Sequence, residues 1–362
     1  MGRNMMQEKA TPYSNLKVFA HPDRLAAIVK GEQPAPIYIR IKPTNICNHR
    51  CYYCSYADHD LALRNNVYSS DQIPWDKMQQ IVNDIGDMGV KAVTFSGGGE
   101  PLVYPHIIPA MQAILANGID LSVITNGQLL QGAIAEVLTQ AKWVRISMDA
   151  ADANRYSKIR GIPAQAFQQV CENIQQFAQI KPQECELGVN FVINHENFDQ
   201  IFAAAKLVRD LGGNHIKFTV RVTKDVDEYH APFKENAITQ IHRAQNELAS
   251  DAFRVINKYE GDFASCAVFR RTYSRCIAKN LVTVIAANSK VYFCHDKAYV
   301  NSGMVGDLAE QSFQELWSSP ETKERYRDFD ATLECNHHCV YDDRNILLNT
   351  FLSLERQHVN FI

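Results

Sequence analysis

Three cysteines lie close together in the sequence, at Cys47, Cys51 and Cys54, directly after a short run of alternating apolar residues. Three thiolates on one loop can converge on a single metal centre. Zinc prefers four ligands, and the nearby residues that would complete a zinc site are His49 and His59. An iron–sulfur cube held by only three cysteines keeps one iron open for an exogenous ligand. The spacing therefore predicts a metal centre, with an iron–sulfur cluster preferred and zinc as the alternative.

A second group of cysteines lies far down the chain and comprises Cys276, Cys294, Cys335 and Cys339. Four thiolates are enough to saturate one iron–sulfur cluster, so this group predicts a second, fully ligated site. Two alternatives stay open. Cys266 would replace Cys276 as a ligand, or a zinc ion would be held by the last three cysteines together with His337 or His338.

Short β-rich runs alternate with helical periods between residue 37 and about residue 220. The predicted strands are Ile37–Lys42, Ala92–Phe95, Leu121–Thr125, Trp143–Met148, Leu187–Ile193 and Ile216–Val220. Amphipathic stretches between them predict helices around Trp75–Met88, Ile107–Leu115, Leu129–Leu138, Phe167–Phe177 and Phe198–Leu211. Repeated strand–helix units imply a parallel sheet with right-handed crossovers, either an open doubly wound sheet or an incomplete barrel.

The pattern changes after a helical segment near Ile238–Leu248. Residues 281–294 predict a hairpin that turns at Asn288 and Ser289, and a last helix is predicted over Asn345–Arg356. We therefore expect an N-terminal extension (1–35), an α/β core (36–250) and a small cysteine-bearing domain (251–362). A domain of that size needs a bound metal centre that cross-links its segments to be stable.

Composition excludes several classes of protein. Of the 362 residues, 46% are apolar and 21% are charged, which is typical of a globular protein and not of a disordered one. Lys and Arg number 37 against 40 Asp and Glu, so a generally basic nucleic-acid-binding surface is not indicated. The sequence has neither an apolar run of membrane-spanning length nor an N-terminal signal core, so we expect a cytoplasmic protein without membrane attachment.

The first cysteine group resembles the hallmark of radical S-adenosylmethionine (radical SAM) enzymes, in which an aromatic residue, here Tyr53, precedes the last cysteine. The segment Phe95–Pro101 (FSGGGEP) resembles the family's Gly-Gly-Glu-Pro segment, which meets the methionine amino group of SAM. By this resemblance Tyr53, Gly98, Gly99 and Glu100 would contact SAM. Glycines let a backbone approach closely, and a carboxylate suits an ammonium group. The resemblance implies SAM and a SAM-binding [4Fe–4S] cluster as cofactors, with the three cysteines as its ligands and as the catalytic residues.

Other positions also match this family, and the resemblance covers about residues 35–340. Ser147 in the fourth strand and Arg160 in the following Ile-Arg-Gly would contact SAM, the arginine serving its carboxylate. Asn126, at the end of the third strand, would also contact SAM. The alternative role for Ser147, Arg160 and Asn126 is to cap the end of a strand. The residues expected to face the substrate from strand ends are Asp149, His195, Lys217 and Arg221. The alternative is that each of them is solvated or structural.

The second cysteine group resembles the auxiliary-cluster domains called SPASM and their shortened form, twitch. The usual order of segments in these domains is matched by Val291–Cys294, then Val305–Leu308, then a helix with Trp317. The hairpin glycine of SPASM is Ser289 here, and its cysteine run is reduced to the last pair. The resemblance therefore implies an incomplete (β/α)6 TIM-like barrel, followed by a small α+β domain with one auxiliary [4Fe–4S] cluster.

The resemblance implies a mechanism in which an electron enters SAM, the C5′–S bond breaks, and a 5′-deoxyadenosyl radical removes hydrogen from a substrate carbon. A fully ligated auxiliary cluster would take or give an electron, which favours dehydrogenation or epimerisation. About 35 residues precede the first strand, too few for a leader-peptide-binding winged helix, so we expect a small carbohydrate-like or nucleoside-like substrate. The expected protein partner is an electron donor such as flavodoxin or ferredoxin. The alternatives are modification of a peptide or protein, modification of tRNA, and a non-catalytic zinc or iron–sulfur binding module.

Overall fold

The computed structural model describes residues 14–56, 67–261, 270–335, 339–355, 357–358 and 360. The predictions for His59, Cys266, His337 and His338 lie outside the described residues. Within those ranges, no helix is both long and apolar enough to cross a membrane.

One sheet runs through the molecule. Its strands are β1 Tyr38–Ile41, β2 Ala92–Phe95, β3 Asp120–Thr125, β4 Trp143–Ser147, β5 Glu186–Ile193, β6 His215–Val220, β7 Arg254–Asn257, β8 Val282–Ile285, β9 Lys290–Tyr292 and β10 Met304–Asp307. Strands β1 to β7 pair in parallel in chain order, and β8 pairs in parallel with the free side of β1. Strands β9 and β10 continue the sheet as antiparallel neighbours. The fold is the incomplete TIM-like barrel that the resemblance implied, extended at one edge by the C-terminal strands.

The helices follow the parallel strands in turn. They are α1 Pro22–Val29, α2 Trp75–Asp87, α3 Ile107–Ala116, α4 Gly132–Leu138, α5 Ala153–Arg160, α6 Gln165–Ile180, α7 Ile201–Asp210, α8 Val226–His230, α9 Lys234–Leu248, α10 Phe313–Ser318, α11 Pro320–Asp328, α12 Ala331–Glu334 and α13 Asp342–Leu352. The buried apolar residues of α2 to α11 pack against one face of the sheet and form one large core with it, while those of α1 and α13 belong to a second cluster. This face takes the branched and aromatic residues of each strand, for example Ile39, Val93, Val144 and Phe218.

The opposite face of the sheet is polar, because successive residues of a strand point to opposite sides. We call this side the lumen face, and its polar residues include Arg40, Lys42, Thr94, Ser122, Arg145, Ser147, Asn190, Lys217, Thr219 and Arg221. With the helices on the outside, this face lines the interior of the barrel, which is where a substrate would enter.

The six predicted core strands agree with the observed ones to within one residue at each end. The sequence does not predict β7, because its four residues carry too short a pattern to separate a strand from a loop. It also does not predict that β8 joins β1, since pairing between strands about 240 residues apart leaves no local signal. The predicted hairpin is present as β8 and β9, and Ser289 occupies its turn in the left-handed region (φ +57°) that favours glycine.

The residues before β1 pack on the C-terminal part of the chain. Val18, Leu25 and Ile28 share a small apolar core with Ile277 and Leu348. The indole nitrogen of Trp317 also donates to the carbonyl oxygen of Pro34 at 3.0 Å. The segment before β1 and the C-terminal part of the chain therefore support one another.

Candidate active site

The loop that carries Cys47, Cys51 and Cys54 follows β1 and lies against the end of α5. The amide of Arg50 donates to the carbonyl of Arg160 at 2.9 Å, which fixes the loop between the first two cysteines. Helix α5 ends at Gly161 with φ +63°, and a side chain there would collide with the carbonyl of Arg50. This glycine is required both for its left-handed backbone and for the close approach of the cysteine loop.

The glycine segment after β2 forms the next wall of the site. The amide of Gly99 donates to Thr44 O at 3.0 Å, and that of Glu100 donates to Ile46 O at 2.9 Å. A Cβ atom on Gly99 would overlap the carbonyl oxygen of Ile46, and one on Gly98 would overlap the side chain of Asn45. These glycines therefore let the backbone of this segment run directly along the cysteine loop, in addition to any approach to a ligand.

Glu100 is buried, and both of its carboxylate oxygens bond within the chain. Oε1 accepts from Thr125 Oγ1 at 2.6 Å and from the Leu102 amide at 3.0 Å, while Oε2 accepts from the Asn126 amide at 2.7 Å. Burial raises the pKa of Glu100 to about 7, against the opposing effect of these donors. The carboxylate thus anchors the end of β3 and holds Asn126 in place.

A chain of amide side chains joins Asn126 to the cysteine loop. Asn126 Nδ2 donates to Asn48 Oδ1 at 2.7 Å, and Asn48 Nδ2 donates to Gln128 Oε1 at 2.8 Å. His49 Nε2 also lies 3.1 Å from Gln128 Oε1. Burial and the nearby Arg160 lower the pKa of His49 to about 4, so its imidazole is neutral at pH 7. Sequence reasoning missed Asn48 and Gln128, because isolated amides between motifs give no pattern.

Arg160 is buried and reaches the central cysteine. Its Nη1 lies 3.4 Å from Cys51 Sγ, and its Nη2 donates to Asp149 Oδ2 at 2.6 Å. Asp149 also accepts from the phenol of Tyr53 and, at 2.6 Å, from the amide of Val192. Its backbone has φ +61°, which turns the chain sharply after β4. Asp149, expected as a possible substrate contact, is therefore fully buried and holds Arg160, Tyr53 and β5 together.

The other expected contacts lie along the lumen or at its mouth. Ser147 and Lys217 are half-buried on the lumen face. The guanidinium of Arg221 stands 5.0 Å from the ring centres of Tyr52 and Tyr229, and its Nη1 donates to Tyr229 Oη at 3.1 Å. Tyr229 Oη also lies 2.6 Å from His195 Nδ1. These groups form an aromatic and cationic rim beside the cysteine loop.

Lys42 was not singled out from the sequence, yet it is fully buried on the lumen face. Its Nζ donates to the phenol of Tyr56 and lies 4.2 Å and 5.0 Å from the ring centres of Tyr56 and Tyr299. Burial and the neighbouring Arg40 lower the pKa of Lys42 well below its usual value. The signal was available in the run IYIRIK, where Arg40 and Lys42 alternate with Ile39 and Ile41.

The four cysteines of the second group converge on one enclosed cavity, which Cys276, Cys294, Cys335 and Cys339 line together. Aromatic rings of Phe293, Phe329 and Tyr341 form much of its wall. Asn345 Nδ2 donates to Cys276 Sγ at 3.3 Å, and the Tyr341 amide approaches Cys339 Sγ at 3.4 Å. Four thiols around an apolar cavity, with N–H donors on two sulfurs, fit an iron–sulfur cluster with four cysteine ligands.

The first cysteine group shows the same kind of fit. The amide of His49 donates to Cys47 Sγ at 3.4 Å, and Arg160 approaches Cys51 Sγ at the same distance. Donors of this kind stabilise thiolate sulfurs in iron–sulfur sites. Two of the three sulfurs that would hold this cluster therefore already have N–H donors.

Comparisons with protein families identify both regions. A model of the radical SAM superfamily matches residues 41–208, and a model of the SPASM iron–sulfur cluster-binding domain matches residues 276–340. The second segment contains all four cysteines that line the cavity. These domains imply a SAM-binding [4Fe–4S] cluster and auxiliary iron–sulfur ligation, so the iron–sulfur expectation is confirmed over the zinc alternative.

Among named proteins, AdoMet-dependent heme synthase from Methanosarcina barkeri is 24% identical over 81% of this chain and 85% of its own length. A GTP 3′,8-cyclase from Microcystis aeruginosa is 33% identical, but over 34% of this chain and 38% of its own. The structure of Streptococcus suis SuiB bound to precursor peptide SuiA superposes with a TM-score of 0.62 at 17% identity, covering 91% of this chain and 75% of SuiB. Native anSMEcpe with bound AdoMet gives a TM-score of 0.57 at 17% identity, covering 90% of this chain and 100% of anSMEcpe.

Proposed function

The chain belongs to the radical SAM enzymes that carry a C-terminal SPASM domain, and from this membership we propose that it removes hydrogen from a carbon atom of a substrate held in the barrel lumen. When bound, SAM on the first cluster supplies a 5′-deoxyadenosyl radical, and the second cluster exchanges electrons. The observation that carries the proposal is the arrangement of the two cysteine groups around one lumen. Lys42, buried on the lumen face, interacts electrostatically with Cys54 of one group and with Cys294 of the other.

In this proposal Cys47, Cys51 and Cys54 hold the first cluster. Arg160, fixed by Asp149, stabilises the thiolate of Cys51 by donating to its sulfur. The aromatic and apolar residues that cover the other cysteine group keep water from that site. Its four thiols would satisfy every iron of a cube, which supports electron exchange over substrate binding there, and hence an oxidation or an epimerisation.

Gly98, Gly99, Glu100, Asn126 and Ser147 would form the wall against which SAM binds. Their support is positional, since all of them lie at or just beyond the carboxyl ends of β2, β3 and β4. The Glu100 carboxylate accepts from the amide of Asn126 at 2.7 Å. It would therefore orient this wall through Asn126 and also add negative charge to it.

For the substrate, a peptide or protein is the better supported class. SuiB, which shares the fold over 91% of this chain, is bound to a precursor peptide, and anSMEcpe has been solved with AdoMet and the Cp18Cys peptide. A small molecule, the expectation from the sequence, is the second candidate. It is favoured by the heme synthase, whose sequence similarity extends over 81% of this chain.

The test is anaerobic reconstitution with iron and sulfide, followed by dithionite and SAM and measurement of 5′-deoxyadenosine. Wild type is expected to form it and Cys51→Ala is not. Cys171→Ala, which removes a buried core thiol on α6, is the matched control and should behave as wild type. Equal product from Cys51→Ala would overturn the proposal. Stimulation by the peptide fraction of a cell extract, abolished by prior protease treatment, supports a peptide substrate, while stimulation that survives protease supports a small molecule.

A further inference from the structure

The cavity that the second cysteine group lines also has a buried lysine in its wall. Lys279 lies in the short 3₁₀ helix Ala278–Asn280, soon after Cys276, and lines the same cavity as the four cysteines. It is only 3% exposed. Burying an ammonium group costs free energy unless negative charge compensates it, so a lysine is an unexpected residue in so apolar a wall. The proposed function does not account for it.

Aromatic rings hold the side chain of Lys279 in place. Its Nζ donates to the carbonyl oxygen of Tyr326 and lies 5.8 Å, 5.2 Å and 5.3 Å from the ring centres of Phe293, Tyr326 and Phe329. The ring of Phe293 packs on those of Tyr326 and Phe329, with centres 4.9 Å and 4.8 Å apart. Phe293 and Phe329 also line the cysteine cavity. The ammonium group is therefore fixed against two side chains that form the wall of that cavity.

The acidic groups that act on Lys279 are thiols of the cavity. Burial and, to a lesser extent, Arg275 lower the pKa of Lys279 to about 8, and the thiols of Cys276 and Cys335 oppose this change. Within the part of the chain that the structure describes, no carboxylate forms an ion pair with Lys279. The side chain is therefore mainly protonated at pH 7, and negatively charged iron-bound thiolates beside it would favour that form further.

We propose that the ammonium group of Lys279 raises the reduction potential of the iron–sulfur cluster held by the second cysteine group. Reduction adds one negative charge to a cluster, and a buried positive charge nearby stabilises the reduced state because an apolar interior screens it little. The inference rests on the proposed function, in which this cluster exchanges electrons. After hydrogen removal, the substrate radical would lose one electron and one proton, and the cluster would gain the electron. Lys279 makes this transfer more favourable without touching the substrate.

A purely structural role for Lys279 is the alternative that the test must separate. Tyr326 lies near the carboxyl end of α11, where the last carbonyl oxygens have no donor within the helix, and a lysine side chain can supply one. Removal of Lys279 should therefore lower the melting temperature under either account. A change in reduction potential that follows the charge of the side chain, and not its hydrogen bond, is expected only if Lys279 acts on the cluster.

The experiment is a redox titration of the cluster-loaded, full-length enzyme at pH 7, followed by electron paramagnetic resonance, with Cys51→Ala used to assign the signal of the second cluster. Lys279→Met removes the charge and the donor, Lys279→Gln keeps an N–H donor without the charge, and Lys279→Arg keeps the charge. At a fixed potential, Met and Gln should each raise the ratio of oxidised to reduced cluster about tenfold, a shift of about 59 mV to more negative values. Lys279→Arg should stay near wild type. Lys181→Met removes an ammonium group that donates to Cys185 O at 2.8 Å, and this matched control should also titrate as wild type.

Iron per chain and melting temperature are measured on the same samples. A wild-type potential in both Lys279→Met and Lys279→Gln would overturn the inference. Loss of the second cluster from both of these variants would assign Lys279 a structural role and would also overturn it. Formation of 5′-deoxyadenosine by the wild-type preparation would in either case leave the proposed function standing, whereas its absence would count against the proposed function whatever the potentials, so the two failures are distinguishable.

Discussion

The guanidinium of Arg160 stands 3.4 Å from the sulfur of Cys51 and, through its other nitrogen, 2.6 Å from the carboxylate of Asp149. One buried ion pair therefore connects the cysteine loop to the sharp turn after β4. Asp149 in turn accepts from the amide of Val192, so the same pair also fixes the end of β5. The position of the first cysteine group thus depends on residues from three separate parts of the chain.

Arg160→Ala should destabilise the protein strongly. The side chains of Arg160 and Asp149 are 5% and 0% exposed, so removal of the arginine leaves a buried carboxylate without a counter-charge. Breaking such a pair costs about 3–5 kcal/mol in the free energy of unfolding. The double variant Arg160→Ala with Asp149→Asn should recover part of this loss, because it removes the charge. Anaerobic urea denaturation measures both, and an unchanged midpoint for Arg160→Ala would contradict the assigned role.

Glu100 should make the free energy of unfolding decrease as the pH rises. Burial raises its pKa from 4.5 to about 7, so between these values the folded state keeps a proton that the unfolded state has lost. Raising the pH through this window therefore weakens the fold, by at most about 3 kcal/mol. Glu100→Gln should remove this slope, although it also loses the acceptor for the Asn126 amide. The measurement is the free energy of unfolding at several pH values, with the exposed Glu321→Gln as control. If the free energy of unfolding varies with pH in the same way in Glu100→Gln and in wild type, Glu100 is not the cause of the pH dependence.

Gly99→Ala should disturb the first cysteine group without touching a cysteine. The added methyl group would overlap the carbonyl oxygen of Ile46, the residue directly before Cys47. Overpacking of this kind costs about 1–3 kcal/mol and shifts the backbone. We expect less iron per chain after reconstitution and less 5′-deoxyadenosine. Gly261→Ala, where a methyl group meets nothing within 4 Å, is the control, and equal iron in both variants would contradict this account.

Cys339→Ala should separate cleavage of SAM from turnover. It removes one ligand of the cavity group and leaves the first group intact, so 5′-deoxyadenosine should still form while product from the substrate falls. Because this cavity supports the C-terminal region, the melting temperature should fall as well. Asn345→Leu, which removes the donor to Cys276 Sγ but no ligand, should show a milder form of the same effect. Complete loss of 5′-deoxyadenosine from a folded Cys339→Ala protein would contradict the division of roles.

Much of this site could be predicted from the sequence, because its key signals are local. Three cysteines within one loop and a glycine segment after a strand are visible without knowledge of the fold. Arg40, Lys42 and Arg145 were not singled out as site residues, since β1 and β4 come to share a level only through the register of four strands. Asp149 was placed among the substrate-facing candidates because it follows a strand end, and its burial against Arg160 becomes visible only in the structure. The substrate itself leaves no local pattern, which is why the proposal for its class rests on the comparisons.

The central claim is that the two cysteine groups hold separate clusters and that SAM binds to the first. Electron paramagnetic resonance of the dithionite-reduced enzyme tests it most directly, with wild type, Cys51→Ala and Cys339→Ala each measured with and without SAM. The account predicts that SAM changes the spectrum of wild type and of Cys339→Ala, and leaves that of Cys51→Ala unchanged. A SAM-dependent change that persists in Cys51→Ala, or one that disappears in Cys339→Ala while its first cluster is intact, would contradict it.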